Sequence, residues 1–118
     1  MDRIVELGRL LDYYGSLLTT RQQNVLQQTV YEDCSLAEVA EREGMSRQGV
    51  RDAILHGEQQ LKHFEAHLHL MERIAQQEKL LSTLTEQIQT LPLSNEDRQV
   101  LTQSIGQIGA IWEEEDGI

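Results

Sequence analysis

Ser35-Leu36-Ala37-Glu38-Val39-Ala40-Glu41-Arg42-Glu43-Gly44-Met45-Ser46-Arg47-Gln48-Gly49-Val50 carries two helix starts and one helix stop in a single short run. Ser35 with Glu38 has the capping-box form: the hydroxyl accepts from an otherwise orphan amide and the glutamate reaches back to the cap. A helix over residues 36–43 follows. Gly44 supplies a left-handed stop at little steric cost, and Ser46 can cap the next helix two residues later. A helix of this length, a tight turn holding Gly and a second capped helix have the spacing of a helix-turn-helix. Ala40 falls where the two helices cross and only a small side chain fits. Val39, Met45, Val50 and Ile54 can close the small core between them. The same unit occurs in helical proteins that bind no nucleic acid, since fold does not fix function.

Upstream, Ile4, Val5, Leu7, Leu11, Tyr14, Leu17 and Leu18 recur at helical spacing and predict a helix over residues 2–18. Thr20 with Gln23 has capping-box form and opens a helix over 21–31, with Val25, Leu26 and Val30 facing inward. Downstream, Leu61, Phe64, Leu68, Met71, Ile74, Leu81, Leu84, Ile88 and Leu91 alternate in steps of three and four. No stop signal intervenes before Pro92, so one long helix is expected. Ser94 with Asp97 opens a last helix whose Leu101, Ile105, Ile108 and Trp112 share a side, and which should fold back as a hairpin. So long an apolar seam needs more covering than one short helix provides, which predicts a homodimer. The acidic tail from Glu113 to Ile118 reads as a solvated end. The expected fold class is all-α: a helix-turn-helix, a long helix and a C-terminal helical hairpin.

Composition agrees. A chain of 118 residues, 39% of them hydrophobic, suits one domain or a small domain with a helical extension, and one Pro with few aromatics leans towards helix. The net charge of −10 excludes whole-molecule attraction to nucleic acid or anionic lipid as a driving force. The acidity is uneven. Residues 1–64 carry seven basic against ten acidic groups, and residues 65–118 three against ten. This asymmetry separates a helix-turn-helix domain, 1–64, from an acidic helical extension, 65–118, read as an oligomerisation region. No apolar run is long enough for a membrane span and the start lacks a signal peptide's pattern, so the expected location is the cytoplasm, without membrane insertion. Cys34 is alone and reads as an inert thiol.

The segments Leu18-Thr19-Thr20-Arg21-Gln22-Gln23-Asn24-Val25-Leu26, Tyr31-Glu32-Asp33-Cys34-Ser35-Leu36-Ala37-Glu38-Val39-Ala40-Glu41 and Gly44-Met45-Ser46-Arg47-Gln48-Gly49-Val50 resemble region 4 of bacterial sigma factors. With the opening Leu10-Leu11-Asp12-Tyr13-Tyr14 and the later Leu61-Lys62-His63-Phe64-Glu65, the chain more closely resembles the YlxM family of small helix-turn-helix proteins, over roughly residues 1–75. The family's genes tend to lie beside those for signal recognition particle components. The resemblance thus implies a DNA-binding regulator tied to that pathway, with no enzymatic activity and no cofactor. The alternative is a non-DNA-binding adaptor that contacts signal recognition particle components through protein surfaces. Two positions depart from the pattern. Glu43 stands where sigma-like modules usually place an apolar residue, so either it lies at the edge of the interface or the helix packs less tightly. Gly49 weakens the recognition helix by up to ~1 kcal/mol relative to Ala.

In a helix-turn-helix the start of the second helix enters the major groove. Ser46, Arg47, Gln48, Arg51 and Asp52 are the candidate DNA-binding residues, on the side away from Val50 and Ile54. Arg47 or Arg51 can read guanine bidentately and Gln48 adenine; Asp52 can accept from cytosine or orient Arg51; Ser46 can cap and touch phosphate. Arg21 and Arg42 can add backbone contacts. With so few cations, one copy should bind double-stranded DNA weakly unless two modules act together. RNA binding lacks an aromatic stacking set. His56, His63 and His67 share a helical face, but two aligned His without an assured third ligand read as ordinary surface residues. No nucleotide loop or nucleophile motif points to an enzyme.

Overall fold

The computed structural model describes residues 2–113, and among them all regular structure is helical. The helices are α1 (Arg3–Tyr14), α2 (Thr20–Val30), α3 (Leu36–Glu43), α4 (Arg47–Leu68), α5 (Leu70–Thr90) and α6 (Asn95–Ala110). They form two compact units that divide between Met71 and Glu72. The expected solvated tail beyond Glu113 lies outside the described residues. No helix among them is long and apolar enough to cross a membrane.

In the first unit, α1 starts at the Asp2 cap and ends at Tyr14. Gly15–Leu17 continue as a 3-10 turn where a longer α-helix was expected. Because that turn ends at Leu18, the cap of α2 falls on Thr19, whose hydroxyl accepts from the Gln22 amide at 3.2 Å while the Gln22 side chain accepts from the Thr19 amide at 3.2 Å. The sequence offers two overlapping Thr-x-x-Gln boxes, and the first closes. Gln23, expected in the second, donates to the Leu18 carbonyl at 3.0 Å.

Two clusters of buried side chains hold this unit. Leu7, Leu10, Leu11, Tyr14, Leu18, Leu26 and Leu61 join α1, α2 and α4. Val25, Val39, Ala40 and Val50 join α2, α3 and α4, with Met45 against them, and Ile54 packs on both clusters. The expected core of Val39, Ala40, Met45, Val50 and Ile54 is present, with Val25 added. Gly57 lets α4 approach α2 closely: a Cβ there would lie 2.8 Å from Leu26 Cδ1. At the edge, Arg3 grips Glu58 through two hydrogen bonds of 3.0 and 2.8 Å, tying α1 to α4, and Lys62 stands 4.0 Å from the same carboxylate.

The expected single long helix is interrupted at His69, which adopts φ 54, ψ 30 and donates to the Glu65 carbonyl at 2.8 Å. The interruption creates a new helix start whose first amides need acceptors. Tyr14 supplies one, its hydroxyl oxygen accepting from the Leu70 amide at 3.0 Å. Glu65 Oε1 supplies the other, accepting from the Met71 amide at 3.0 Å and also from the Tyr14 hydroxyl. One of the acceptors comes from α1, far away in sequence, so neighbouring residues carry no stop signal. The fold class of a helix-turn-helix followed by long helical segments and a hairpin stands.

The second unit is an antiparallel hairpin of α5 and α6. Its turn passes through Pro92, and Ser94 caps α6 by accepting from the Asp97 amide at 3.1 Å. The Arg98 guanidinium donates to the carbonyls of Ile88, Leu91 and Leu93 at 2.5, 3.3 and 3.1 Å, closing the end of α5. Near the open end, Trp112 Nε1 donates to Gln77 Oε1 at 2.5 Å.

Candidate nucleic-acid interface

The helix-turn-helix is built as its caps require. Ser35 and Glu38 close their capping box, and the Ser35 amide and hydroxyl, with Arg42 nearby, hold the Glu38 carboxyl below its ordinary pKa. Gly44 takes φ 64, its amide and that of Met45 bonding back to α3, and Ser46 accepts from the Gly49 amide at 2.9 Å. Ala packs less freely at 49 than elsewhere in a helix, because its Cβ would stand 3.1 Å from the Ser46 oxygen that makes the cap.

Val50 is fully buried, which turns the opposite side of α4 outward. Arg47, Gln48, Arg51 and Asp52 are all exposed on its first two turns, with Ser46 at the cap. The structure therefore brings all five candidate residues onto one exposed helix start. No described residue forms an ion pair with Arg47 or Arg51. An exposed helix N-terminus with unpaired guanidinium groups suits anionic oxygens, since amides and dipole both favour negative charge there. Asp52 accepts from Gln48 Nε2 at 2.9 Å and forms no ion pair with Arg51 among the described residues. Leu55, 49% exposed, extends this face one turn beyond Arg51. Its spacing of four from Arg51 was the signal that could have revealed it.

The flanking cations differ. Arg21 is exposed without a described ion pair, whereas Arg42 stands 3.3 Å from Glu32 and donates to the half-buried Cys34 sulfur at 3.3 Å. Glu43 lies at the edge of the α2–α3 interface, where its carboxylate accepts from the buried Gln28 amide at 2.8 Å. That contact resolves the departure at 43: a polar pair replaces the usual apolar one. His67 directs Nδ1 at the His63 carbonyl at 2.9 Å, and no group of three or more His, Cys, Asp or Glu among the described residues is placed to hold a metal.

Fold and face together define an all-helical helix-turn-helix protein. The family model described as "Putative helix-turn-helix protein, YlxM / p13 like" matches residues 1–103, and the chain belongs to that family. It is 38% identical to a UPF0122 protein of Acetivibrio thermocellus over 104 residues, covering 86% of this chain and 89% of the relative. It is 42% identical to one of Desulforamulus reducens over 81 residues, 69% of each chain. It is 36% identical to one of Symbiobacterium thermophilum over 94 residues, 80% of this chain and 88% of the relative.

Proposed function

We propose that the protein is a DNA-binding regulator that reads double-stranded DNA with the start of α4 and acts as a homodimer. The observation that carries this reading is the pair of exposed, unpaired guanidinium groups at Arg47 and Arg51, one turn apart beside an open helix N-terminus. In a major groove, Arg47 or Arg51 donates bidentately to guanine, and Gln48, steadied by Asp52, pairs with adenine. Ser46 and Arg21 take phosphates. In this reading residues 1–64 hold the DNA-binding domain and residues 65–118 the oligomerisation region.

Charge makes each copy a weak binder. With one of Arg47 and Arg51 on guanine, Arg21 and the other arginine each neutralise one phosphate, and affinity falls about 12-fold between 50 and 200 mM salt for one copy, about twice as steeply on a logarithmic scale for two. The link to signal recognition particle components rests on the family resemblance. A second reading, an adaptor that contacts such components without DNA, is supported by the acidic excess of the chain and by Asp52 within the reading face.

Selection of fragmented genomic DNA separates the two. The intact protein enriches defined sites, and a folded Arg47→Ala/Arg51→Ala variant does not. No enrichment by the intact protein at low salt overturns DNA reading and leaves the adaptor.

A further inference from the structure

The α5–α6 hairpin presents an apolar strip that its own two helices do not cover. Ile74, Leu81 and Ile88 mark the inward side of α5, while Arg98, Ile105 and Gly109 mark that of α6. At 100° per residue, Leu80, Leu84 and Leu91 are rotated about 80° from the inward side of α5, and Leu101, Ile108 and Trp112 about 60° from that of α6. Both rotations have the same sense along the chain. Because the helices are antiparallel, both stripes therefore emerge on one side of the hairpin. Their exposures, from 40% at Ile108 to 70% at Leu80, agree with a single half-open groove. Glu78, Glu86 and Glu96 fall on the other side.

Among the described residues, only two charges lie on the groove side, and they are of opposite sign. Arg73 sits on the Leu80–Leu84–Leu91 stripe at the open end, and Asp97 beside the Leu101–Ile108–Trp112 stripe at the turn end; neither has an ion pair among the described residues. The Trp112–Gln77 hydrogen bond and the approach of Gly109 to Leu81, where an added Cβ would lie 3.8 Å from Leu81 Cδ1, set the register of the hairpin. In that register, Arg73 lies about 16 Å to one side of Leu84 along the axis and Asp97 about 13 Å to the other. A two-fold axis through Leu84, perpendicular to the helices, lays α5 on α5 and α6 on α6 and brings Arg73 of each copy to the same end as Asp97 of the other, on the diagonally neighbouring helix.

We propose that this groove takes a second copy of the chain, two hairpins packing antiparallel into a four-helix bundle centred on Leu84 and flanked by two Arg73–Asp97 pairs. Two-fold symmetry needs a self-complementary patch, and the strip with its two end charges is one. Burial of the six apolar side chains supplies the affinity, as in other four-helix bundles, while the end charges select the antiparallel arrangement. The inference deepens the self-association part of the reading above and does not depend on DNA.

Sedimentation of the full chain in the absence of DNA tests it. The protein sediments as a dimer at micromolar concentration, and Leu84→Asp makes it monomeric. Arg73→Glu and Asp97→Arg each weaken the dimer about tenfold by setting like charges together, and the double variant returns to within about threefold of the unaltered protein. A defect in folding cannot produce that recovery, so the charge swap still decides if Leu84→Asp unfolds the hairpin. A monomer up to about 200 µM overturns the proposal and leaves the groove to another protein. A dimer insensitive to Leu84→Asp, or a double variant no tighter than the singles, overturns it equally. None of these results bears on Arg47 and Arg51, and failed DNA selection leaves the dimer intact.

Discussion

Gly57→Ala should destabilise the first unit although Ala is the better helix former. The added Cβ would stand 2.8 Å from Leu26 Cδ1 and 3.6 Å from its Cγ. Leu26 is fully buried among Leu7, Leu11, Tyr14 and Leu61, so it cannot swing into solvent, and relief must spread through α1 and α4. Overpacking of this kind costs about 1–3 kcal/mol, against which replacing a helical Gly gains about 1 kcal/mol, for a net loss near 1 kcal/mol. Gly8→Ala is the matched comparison. It lies inside α1, where a Cβ would meet only Val30 Cγ1 at 3.2 Å, and Val30 is half-buried. A few tenths of an ångström suffice there, and the change should be neutral or stabilising by up to about 0.5 kcal/mol. The two variants thus differ by about 1–2 kcal/mol, or roughly 5–15 °C in Tm for a unit of this size. Trp112 reports on the other unit, so the suitable assay is native-state hydrogen exchange of the Val25 and Leu26 amides, which follows the opening of this core. A Gly57→Ala protein as stable as Gly8→Ala would refute the close approach of α2 and α4.

Tyr14→Phe keeps the ring in the core but removes the acceptor of the Leu70 amide and the donor to Glu65; a loss of about 1–2 kcal/mol in urea unfolding is expected, with faster exchange at Leu70. Glu58 is held below its ordinary pKa chiefly by the Arg3 hydrogen bonds, so its contribution is full above about pH 4.5 and is lost as pH falls through the lower folded value. Melting temperatures between pH 7 and 3 should show that decline, and Glu58→Gln should flatten it. Burial, and then the bond to Glu65, raises the Tyr14 pKa, so stability should also fall as pH rises above about 10, a limb that Tyr14→Phe removes. On the proposed reading of DNA by α4, Asp52→Ala should tighten non-specific DNA binding a few-fold at low salt by removing an anion from the exposed helix start, while relaxing preference at the base assigned to Gln48; fluorescence anisotropy with matched and mismatched duplexes measures both.

Local chemistry made the helix-turn-helix legible. The Ser35–Glu38 box, the Gly44 stop and the Ser46 cap each act within a few residues, so the capping groups and the groups they satisfy are neighbours in the chain. Periodicity likewise marked Val39, Val50 and Ile54 as inward, and by exclusion Arg47, Gln48, Arg51 and Asp52 as outward. Where two local solutions competed, as with the overlapping boxes at Thr19 and Thr20, sequence alone could not choose, because the preceding 3-10 turn decides which threonine is extended.

The break at His69 belongs to a different order of cause. The apolar seam runs past it without a stop, and a non-glycine residue enters the left-handed region at a cost of about 1–2 kcal/mol. Glu65 and the Tyr14 hydroxyl offset that cost by holding the amides of Leu70 and Met71, and Tyr14 reaches them only once α1 has packed on α4. The Arg3–Glu58 clasp and the Gln28–Glu43 pair arise in the same way, from side chains with no sequence proximity. Cap residues and apolar spacing, properties of single short segments, determined which helices form and which faces they bury. Tertiary packing decided where the long helix is cut and which polar groups are held, because those interactions exist only between elements already brought together.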